Sequence, residues 1–526
     1  MEWSEWALSL AVFIPALGAV VTMLIPRAQE EAVKWVALIT TLATLGVVVG
    51  ILVDFDYDKS GQLQFQVNND WINVINSRYH IGVDGISLPL LALSAFITVL
   101  CVIYSWNHWP EPHNPKAFIV LMLVLEVGMN GTFVAQDLIL FFVFFEIVLL
   151  PMFFMIGVWG GPNREYASIK FFLFTLFGSA MMLLGFLALY FKGPNTFDIV
   201  ALSDWAGQDL THSTAVLIFG AMFLGFAIKV PMFPFHTWLP DAHTEAPTVG
   251  SVLLAAILLK LGTYGFVRIA LPILPEAAED WAPFIGALAV IGIIYGALGC
   301  LAQTDMKRLI AFSSVAHMGF VMLGIATMTS FGINAAIFGM VAHGLITGML
   351  FFVAGSVQHN FHTREMSRLG GLLTQAPKMG WILGFCVMAS LGLPGLAGFW
   401  GEFPAILSAF EPLSTLSEET FRTYMVIAAV GTVLAAGYLL WMLSKVAFGT
   451  PKAEFADAEI HDVNAFEWTA WLPILLLIVA LGIFPNLLFG VTDDAVCVMT
   501  DKISEQVGAD STCDEGGDTV PVAEHE

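Results

Sequence analysis

The run GFAIKVPMFPFHTWLPDAHTEAP, residues 225–247, sets Lys229 at the end of an apolar stretch and follows it at once with Pro231 and Pro234. An ammonium group at the middle of a bilayer costs about 2.5–3.5 kcal/mol on insertion scales, so it is retained where it pairs, meets water or moves ions. The two prolines lack an N–H and break the helical ladder. Freed backbone groups at membrane depth are tolerated inside protein or beside a water-filled cavity, and broken helices mark ion sites. The stretch reads as the centre of an ion-translocating membrane protein.

The rest of the chain agrees. Its 526 residues are 58% hydrophobic and 12% charged, against about 25% charged in soluble domains. Mean hydropathy is +0.80. About 20 apolar residues cross a bilayer as a helix. That template predicts an all-α polytopic protein with about 14 transmembrane helices. They fall near 3–25, 32–53, 82–106, 117–135, 137–159, 166–191, 213–233, 247–271, 282–304, 308–328, 333–358, 379–410, 422–448 and 467–492. The seventh continues past its break to about residue 245.

Charge sets the orientation. Alternate loops hold Arg27, Lys34, Lys116, Arg164, Lys307, Arg308, Arg364, Arg368, Lys378, Lys445 and Lys452, against Lys59, Arg78, Lys192, Arg422 and Lys502 on the other side. The richer side is expected in the cytoplasm, with both termini outward. Glu2 and Glu5 occupy the place of a basic n-region, so the first span reads as a retained helix. The net charge of −23 owes much to the end of the chain, where ten acidic residues after Thr492 face one basic residue, Lys502. That end reads as a solvated tail, and nothing basic suggests nucleic acid.

Cysteines show no CxxC and no metal-ligand spacing. Cys101, Cys300 and Cys386 fall in spans and read as small core residues. Cys497 and Cys513 fall in the outward tail, where an oxidising compartment permits a disulfide. Without a Gly-rich nucleotide loop or a cysteine cluster, the chain is expected to hold no cofactor and no metal of its own.

Five sections follow: a three-helix segment at 1–116, a five-helix unit at 117–271, a second at 282–448, an inward loop with the last span at 449–492, and the tail at 493–526. An odd number of spans per unit makes the two units inverted repeats. The fourth helix of each is interrupted, at Lys229–Pro234 (helix 7) and at Leu393–Gly398 ahead of Glu402 (helix 12).

Glu146, Lys229, Lys260, His317, His343 and Glu402 fall near the middle of six different spans. Mid-span placement requires such groups to face the bundle interior, hydrate or pair. Together they can form a lateral row of proton sites. Glu146 in FFVFFEIVLLP has Lys229 as its natural partner, each favouring the other's charge; the bland reading is a static pair that fixes helix register. Lys260 in LLAAILLKLGTYGF is too deep for its stem to reach the surface easily. His317 and His343 belong to the residue type that titrates near neutral pH, although an intramembrane histidine is often only a satisfied hydrogen-bonding group. Glu402 closes the row or caps the helix at the break. His236 and His243 flank the first break as gate or relay groups, and without a third ligand they make no metal site. Glu126 is a further relay candidate that alternatively balances a nearby lysine. Asp137 at a helix start suits the dipole, Asp84 reads as a cap, and Lys170 reads as a snorkelling residue.

Residues 233–265, FPFHTWLPDAHTEAPTVGSVLLAAILLKLGTYG, resemble the signature of the antiporter-like subunits M of respiratory complex I, the proton-translocating NADH:quinone oxidoreductase. YHIGVDGISLPL, FFVFFEIVLLPMFFMIGVWGG, SSVAHMGF and GLPGLAGFWGEF are similar to that family too. The resemblance covers about 1–492, and its TEAP…LLKLGTYG run separates it from the related L and N subunits. It implies that Glu146 and Lys229 form the family's carboxylate–lysine pair and that Lys260 is its central lysine. It implies that His317 and His343 link that lysine outward to Glu402, the terminal carboxylate where relatives carry lysine. It further implies partner subunits holding FMN, iron–sulfur clusters and quinone, neighbouring antiporter-like subunits, and a bacterial plasma (inner) membrane. The alternative is a subunit of a multi-subunit Na⁺/H⁺ antiporter, which sodium-dependent exchange without NADH would favour. A purely structural scaffold would keep full activity after its buried charges were neutralised.

Overall fold

The computed structural model describes residues 3–456 and 459–513. Among the described residues, thirteen helices are long and apolar enough to cross a membrane. They are α1 (Ala7–Leu24), α2 (Glu30–Asp54), α3 (Leu88–Ser105), α4 (Pro115–Val134), α5 (Leu138–Trp159), α6 (Arg164–Lys192), α7 (His212–Lys229), α9 (Thr248–Ile273), α10 (Pro275–Leu301), α11 (Met306–Ala326), α12 (Ser330–Phe361), α15 (Glu418–Val446) and α16 (Ala465–Ile483). Between them lie α8 (Trp238–Glu245) and the pair α13 (Pro377–Ser390) and α14 (Ala397–Ser408). The span expected at 379–410 is thus two short helices, parted at residues 391–396 where Gly392 and Gly395 take positive φ.

Burial sorts the spans. α9, α11 and α12 are 94–100% buried over their most apolar windows, whereas α2, α6 and α15 are 33–39% buried and show apolar flanks. The innermost three carry Lys260, His317 and His343 respectively.

Two departures from the expected layout stand out. The segment expected as a loop at 54–81 holds an antiparallel hairpin, β1 (Gln64–Ile72) and β2 (Ser77–Val83), so α3 begins six residues later than the expected span. The start of α5 covers the hairpin: Gln136 N–H donates to the His80 carbonyl at 2.8 Å, and Asp137 accepts from Ser77 Oγ and Arg78 N–H at 2.9 Å each. Pairing this strand's outer side disposes of groups that would otherwise template association.

The tail expected from residue 493 is also different. The last span stops at Ile483 and α17 (Asn486–Val507) follows, packed on α12 and against Gly61 and Gly85, which flank the hairpin. Thr492 donates to Asn334 at 2.7 Å, Lys502 pairs with Asp204 at 2.8 Å, and Ser330 N–H donates to Thr512 Oγ1 at 3.0 Å. A disulfide joins Cys497 to Cys513. These ties hold residues 492–513 against the bundle; the remainder of the acidic tail, 514–526, lies outside the described residues.

Backbone groups freed inside the bundle find partners. Pro15 cannot bond the Ala11 carbonyl, and the Asn130 side chain donates to it at 3.0 Å. At the first break Pro231 leaves Ala227 O to Met232 N–H at 2.9 Å, which strands Ile228 O; the Trp238 indole N–H takes that carbonyl at 2.9 Å.

Candidate functional site

Lys260 is fully buried on α9 and is placed by an irregularity in that helix. Residues Leu254–Leu258 and Phe266–Ala270 form π-helical turns, a feature that frequents functional sites. The turn ahead of Lys260 exposes the Ala255 carbonyl, and Lys260 Nζ donates to it at 2.6 Å. The same Nζ lies 2.7 Å from His343 Nδ1 on α12. An ammonium there donates to Nδ1, which leaves the imidazole proton on Nε2; a neutral amine accepts from an Nδ1–H instead. One proton can therefore reside on either residue.

The row continues. The His343 and His317 rings are 6.0 Å apart between centroids. His343 Nε2 has no protein partner. A cavity of about 20 Å³ opens here, lined by both histidines, Thr347, Ser390 and Glu402. That is room for a bridging water with several polar partners. His317 Nδ1 lies 2.5 Å from Glu402 Oε1, and since a carboxylate accepts, Nδ1–H donates. Ser390 Oγ and Tyr438 OH approach His317 Nε2 at 3.1 and 3.3 Å. α14 brings Glu402 close because Gly401 packs backbone to backbone on Gly339 of α12, where a Cβ on Gly401 would collide with the Gly339 backbone. Small residues at such crossings let membrane helices approach.

The expected Glu146–Lys229 pair is looser than the sequence suggested. The two sense each other electrostatically, but no direct ion pair closes. Lys229 Nζ sits 4.8 Å over the Phe145 ring, and Glu146 is within reach of the Ser179 hydroxyl. The cation–π contact replaces the direct salt link. No hydrogen bond ties this pair to the Lys260 row among the described residues.

His236 rests between Phe233 and Tyr295, at 5.7 and 4.9 Å between ring centroids. His243 stacks on Phe351 at 4.5 Å, with both nitrogens unpartnered. Glu126 is buried with neither carboxyl oxygen hydrogen-bonded, and no bond connects it to the row. Asp137, read as a carboxylate suited to a helix start, accepts from Ile139 and Leu140 N–H and so caps α5.

Several charges have partners that the sequence reading did not supply. Lys170, read as a snorkelling residue, pairs its Nζ with Asp241 on α8 at 2.7 Å. Asp84 caps its turn and also holds Arg268 of α9 at 2.5 Å. Lys307 donates to the Ala246 carbonyl and Arg364 to that of Thr244. The second piece of the broken helix is thus gripped by cations from three other elements. An arginine eight residues after Lys260 in an apolar run was the available signal for the Asp84 pair.

Broken helices around a buried lysine–histidine–carboxylate row define an antiporter-like membrane subunit. Residues 135–434 match the family described as NADH:quinone oxidoreductase/Mrp antiporter, TM, and residues 16–132 match NADH-ubiquinone oxidoreductase chain 4, amino terminus. The NADH-quinone oxidoreductase subunit M of Rhodobacter capsulatus is 40% identical over 95% of this chain and 98% of its own. That of Rickettsia prowazekii is 38% identical over 92% and 96%. A chain of respiratory complex I from Thermus thermophilus with bound NADH superposes with a TM-score of 0.83 at 28% identity, covering 94% of this chain and 99% of that one. A chain of the Mrp complex from Dietzia sp. DQ12-45-1b gives 0.84 at 17% identity, covering 96% and 100%, which shows the shared fold. The chain belongs to the antiporter-like subunit M family of NADH:quinone oxidoreductase, and is a proton-translocating membrane-arm subunit of that translocase complex.

Proposed function

We propose that protons cross this chain along the buried row, from Lys260 through His343 and His317 to Glu402, with Glu146 and Lys229 as the switch that drives it. The observation that carries the reading is the 2.7 Å contact between Lys260 and His343. It supports a proton shared between a lysine and an imidazole, with His317 and Glu402 next in line.

Oxidation of NADH and reduction of quinone take place in partner subunits that carry FMN and iron–sulfur clusters. Their free energy reaches this chain through neighbouring antiporter-like subunits as a change in charge or position near Glu146 and Lys229. The ammonium, held by an aromatic face rather than a carboxylate, can swing between Glu146 and the interior. Lifting one charge against 100 mV costs about 2.3 kcal/mol. A charge moved to within a few ångströms changes a proton affinity by about 1–3 units, or about 1.4–4 kcal/mol. One such displacement suffices for one proton. The chain sits in the bacterial plasma membrane with both termini outward, takes protons from the cytoplasm and releases them outward. The units at 117–271 and 282–448 act as inverted repeats, each with a broken helix as its moving part. His236, at the break, gates access to Lys229.

The test is Lys229→Ala and Glu146→Ala in the assembled complex, reading NADH-driven proton transport in sealed vesicles. Loss of transport with retained insertion is expected. Undiminished transport in both variants sinks the reading, and sodium-dependent exchange without NADH would instead point to a secondary antiporter.

A further inference from the structure

A second buried polar chain lies near the basic face, away from the row. Glu467 on the first turn of α16 is 3% exposed. Its Oε2 accepts from Asn464 N–H at 2.9 Å while the Asn464 side chain accepts from Glu467 N–H, a capping box. Capping would account for Glu467 fully if its other oxygen met only water. Instead Oε1 accepts from the Ser356 hydroxyl and lies 3.6 Å from His108 Nε2.

Donor counting orients this chain. Ser356 spends its proton on the carboxylate, so the Tyr104 hydroxyl, 3.1 Å away, donates to Ser356 Oγ. His108 Nδ1 faces the Tyr104 carbonyl at 3.1 Å and must carry a proton, which makes Nε2, turned to Glu467, the nitrogen that gains and loses one. The exposed His359 ring meets His108 edge-on at 5.0 Å. At the inner end the Tyr104 hydroxyl lies beside Thr248, the first residue of the helix that carries Lys260. Thr248 packs on Gly355 of α12, and one turn along α12 Phe351 carries the stacked His243. His243 has two buried nitrogens without a protein partner, and it feels the charges of both Lys307 and Lys260. Buried polar atoms left unpaired by protein are commonly satisfied by water.

We propose that His108, Glu467, Ser356 and Tyr104 form the proton-intake wire that feeds Lys260 from the basic face. This rests on the proton-translocation reading above. A proton taken up through His359 sits on His108 Nε2 and passes to Glu467 Oε1. The neutral carboxyl now donates to Ser356 Oγ, which reverses the chain: Ser356 gives its proton to the Tyr104 oxygen, and Tyr104 gives its own to water beside Thr248 and His243. The two hydroxyls turn inward before the transfer, which returns them to their starting orientation, and one proton leaves the inner end for each that arrives.

The experiment uses the whole complex in sealed vesicles and measures protons moved per NADH and the quinone-reduction rate. The variants are Glu467→Gln, Tyr104→Phe and, as reference, Lys260→Ala. Glutamine preserves the capping box, and phenylalanine keeps the ring stacked on His108. The expected result is a complex that assembles and reduces quinone but has lost part of its proton yield in both variants. The loss should deepen as the pH on the basic face rises, which a purely structural defect would not produce. If both variants pump at the unaltered ratio while Lys260→Ala does not, the wire is refuted and the row stands. If Lys260→Ala also pumps normally, the row itself fails. Should Glu467→Gln not assemble, Tyr104→Phe decides alone.

Discussion

Lys260 and His343 share a proton-sized gap of 2.7 Å, and the lysine's remaining partner is the Ala255 carbonyl, five residues back on its own helix. A regular α-helix commits that carbonyl to the residue four further on. The π-helical turn at Leu254–Leu258 leaves it accessible, so the helix supplies an acceptor without a counter-charge. A carboxylate in the same place would pin the ammonium; a carbonyl and an imidazole hold it while letting it discharge. His343→Phe removes the acceptor and the next proton site together. We expect NADH-driven proton transport to be lost with quinone reduction retained, measured in vesicles, and full transport would exclude His343 from the row.

Much of this was legible in the sequence, because a mid-span charge and a proline pair are local signals. Lys229, Lys260, His317, His343 and Glu402 stand out against apolar neighbours, and the last four come together in space. What stayed hidden depends on geometry at a distance. A π-helical turn adds one residue to a helix without disturbing its apolar run, so the acceptor at Ala255 left no trace. Phe145, beside Glu146, gave no sign that its ring rather than the carboxylate would meet Lys229. The hairpin was masked by its Asn-rich outer residues, and α17 by acidic residues that face away from the bundle. Glu467 looked like an ordinary helix start, since a capping box is complete within four residues and says nothing of Ser356 or His108 on other helices.

The Asp84–Arg268 pair gives a stability prediction. Their side chains are 7% and 13% exposed, and Arg268 also leans on the Tyr264 ring at 5.7 Å. Removing one partner of a buried pair costs about 3–5 kcal/mol because the other charge is left behind. Asp84→Asn should therefore lower the thermal stability of the purified complex markedly, and the double variant with Arg268→Met should recover most of it. An unchanged melting temperature for Asp84→Asn would show that water already compensates the arginine.

Acid should release the hairpin. His80 Nδ1 lies 2.6 Å from Asp198 Oδ2. Burial alone would raise the Asp198 carboxyl, but the His80 hydrogen bond, the Ala201 N–H and the His80 charge hold it below the usual range. Because the folded value is depressed, this contact stabilises fully above about pH 3.9, the ordinary aspartate value, and is lost as pH falls through the lower folded one. Hydrogen exchange of the β2 amides should accelerate over that window after correction for intrinsic rates. Asp198→Asn should show the faster exchange already at neutral pH; equal protection at pH 7 and pH 3 would contradict it.

The disulfide should act on the end of the chain rather than on α17. Cys497 and Cys513 are 16 residues apart, and closing a loop of that size is worth about 3 kcal/mol in the chain-entropy picture. The helix has its own ties, Thr492 to Asn334 and Lys502 to Asp204. Residues 508–512 lean on the ring more than the helix does, since they meet the bundle through Asp510 N–H on Ser414 and Thr512 on Ser330 and α17 through Ala509 N–H and the Ser511 hydroxyl. Cys513→Ser should leave exchange along Asn486–Val507 protected and expose the amides of Ser330 and Asp510. Uniform deprotection through α17 would mean that the covalent link, not the side-chain ties, seats the helix on the bundle.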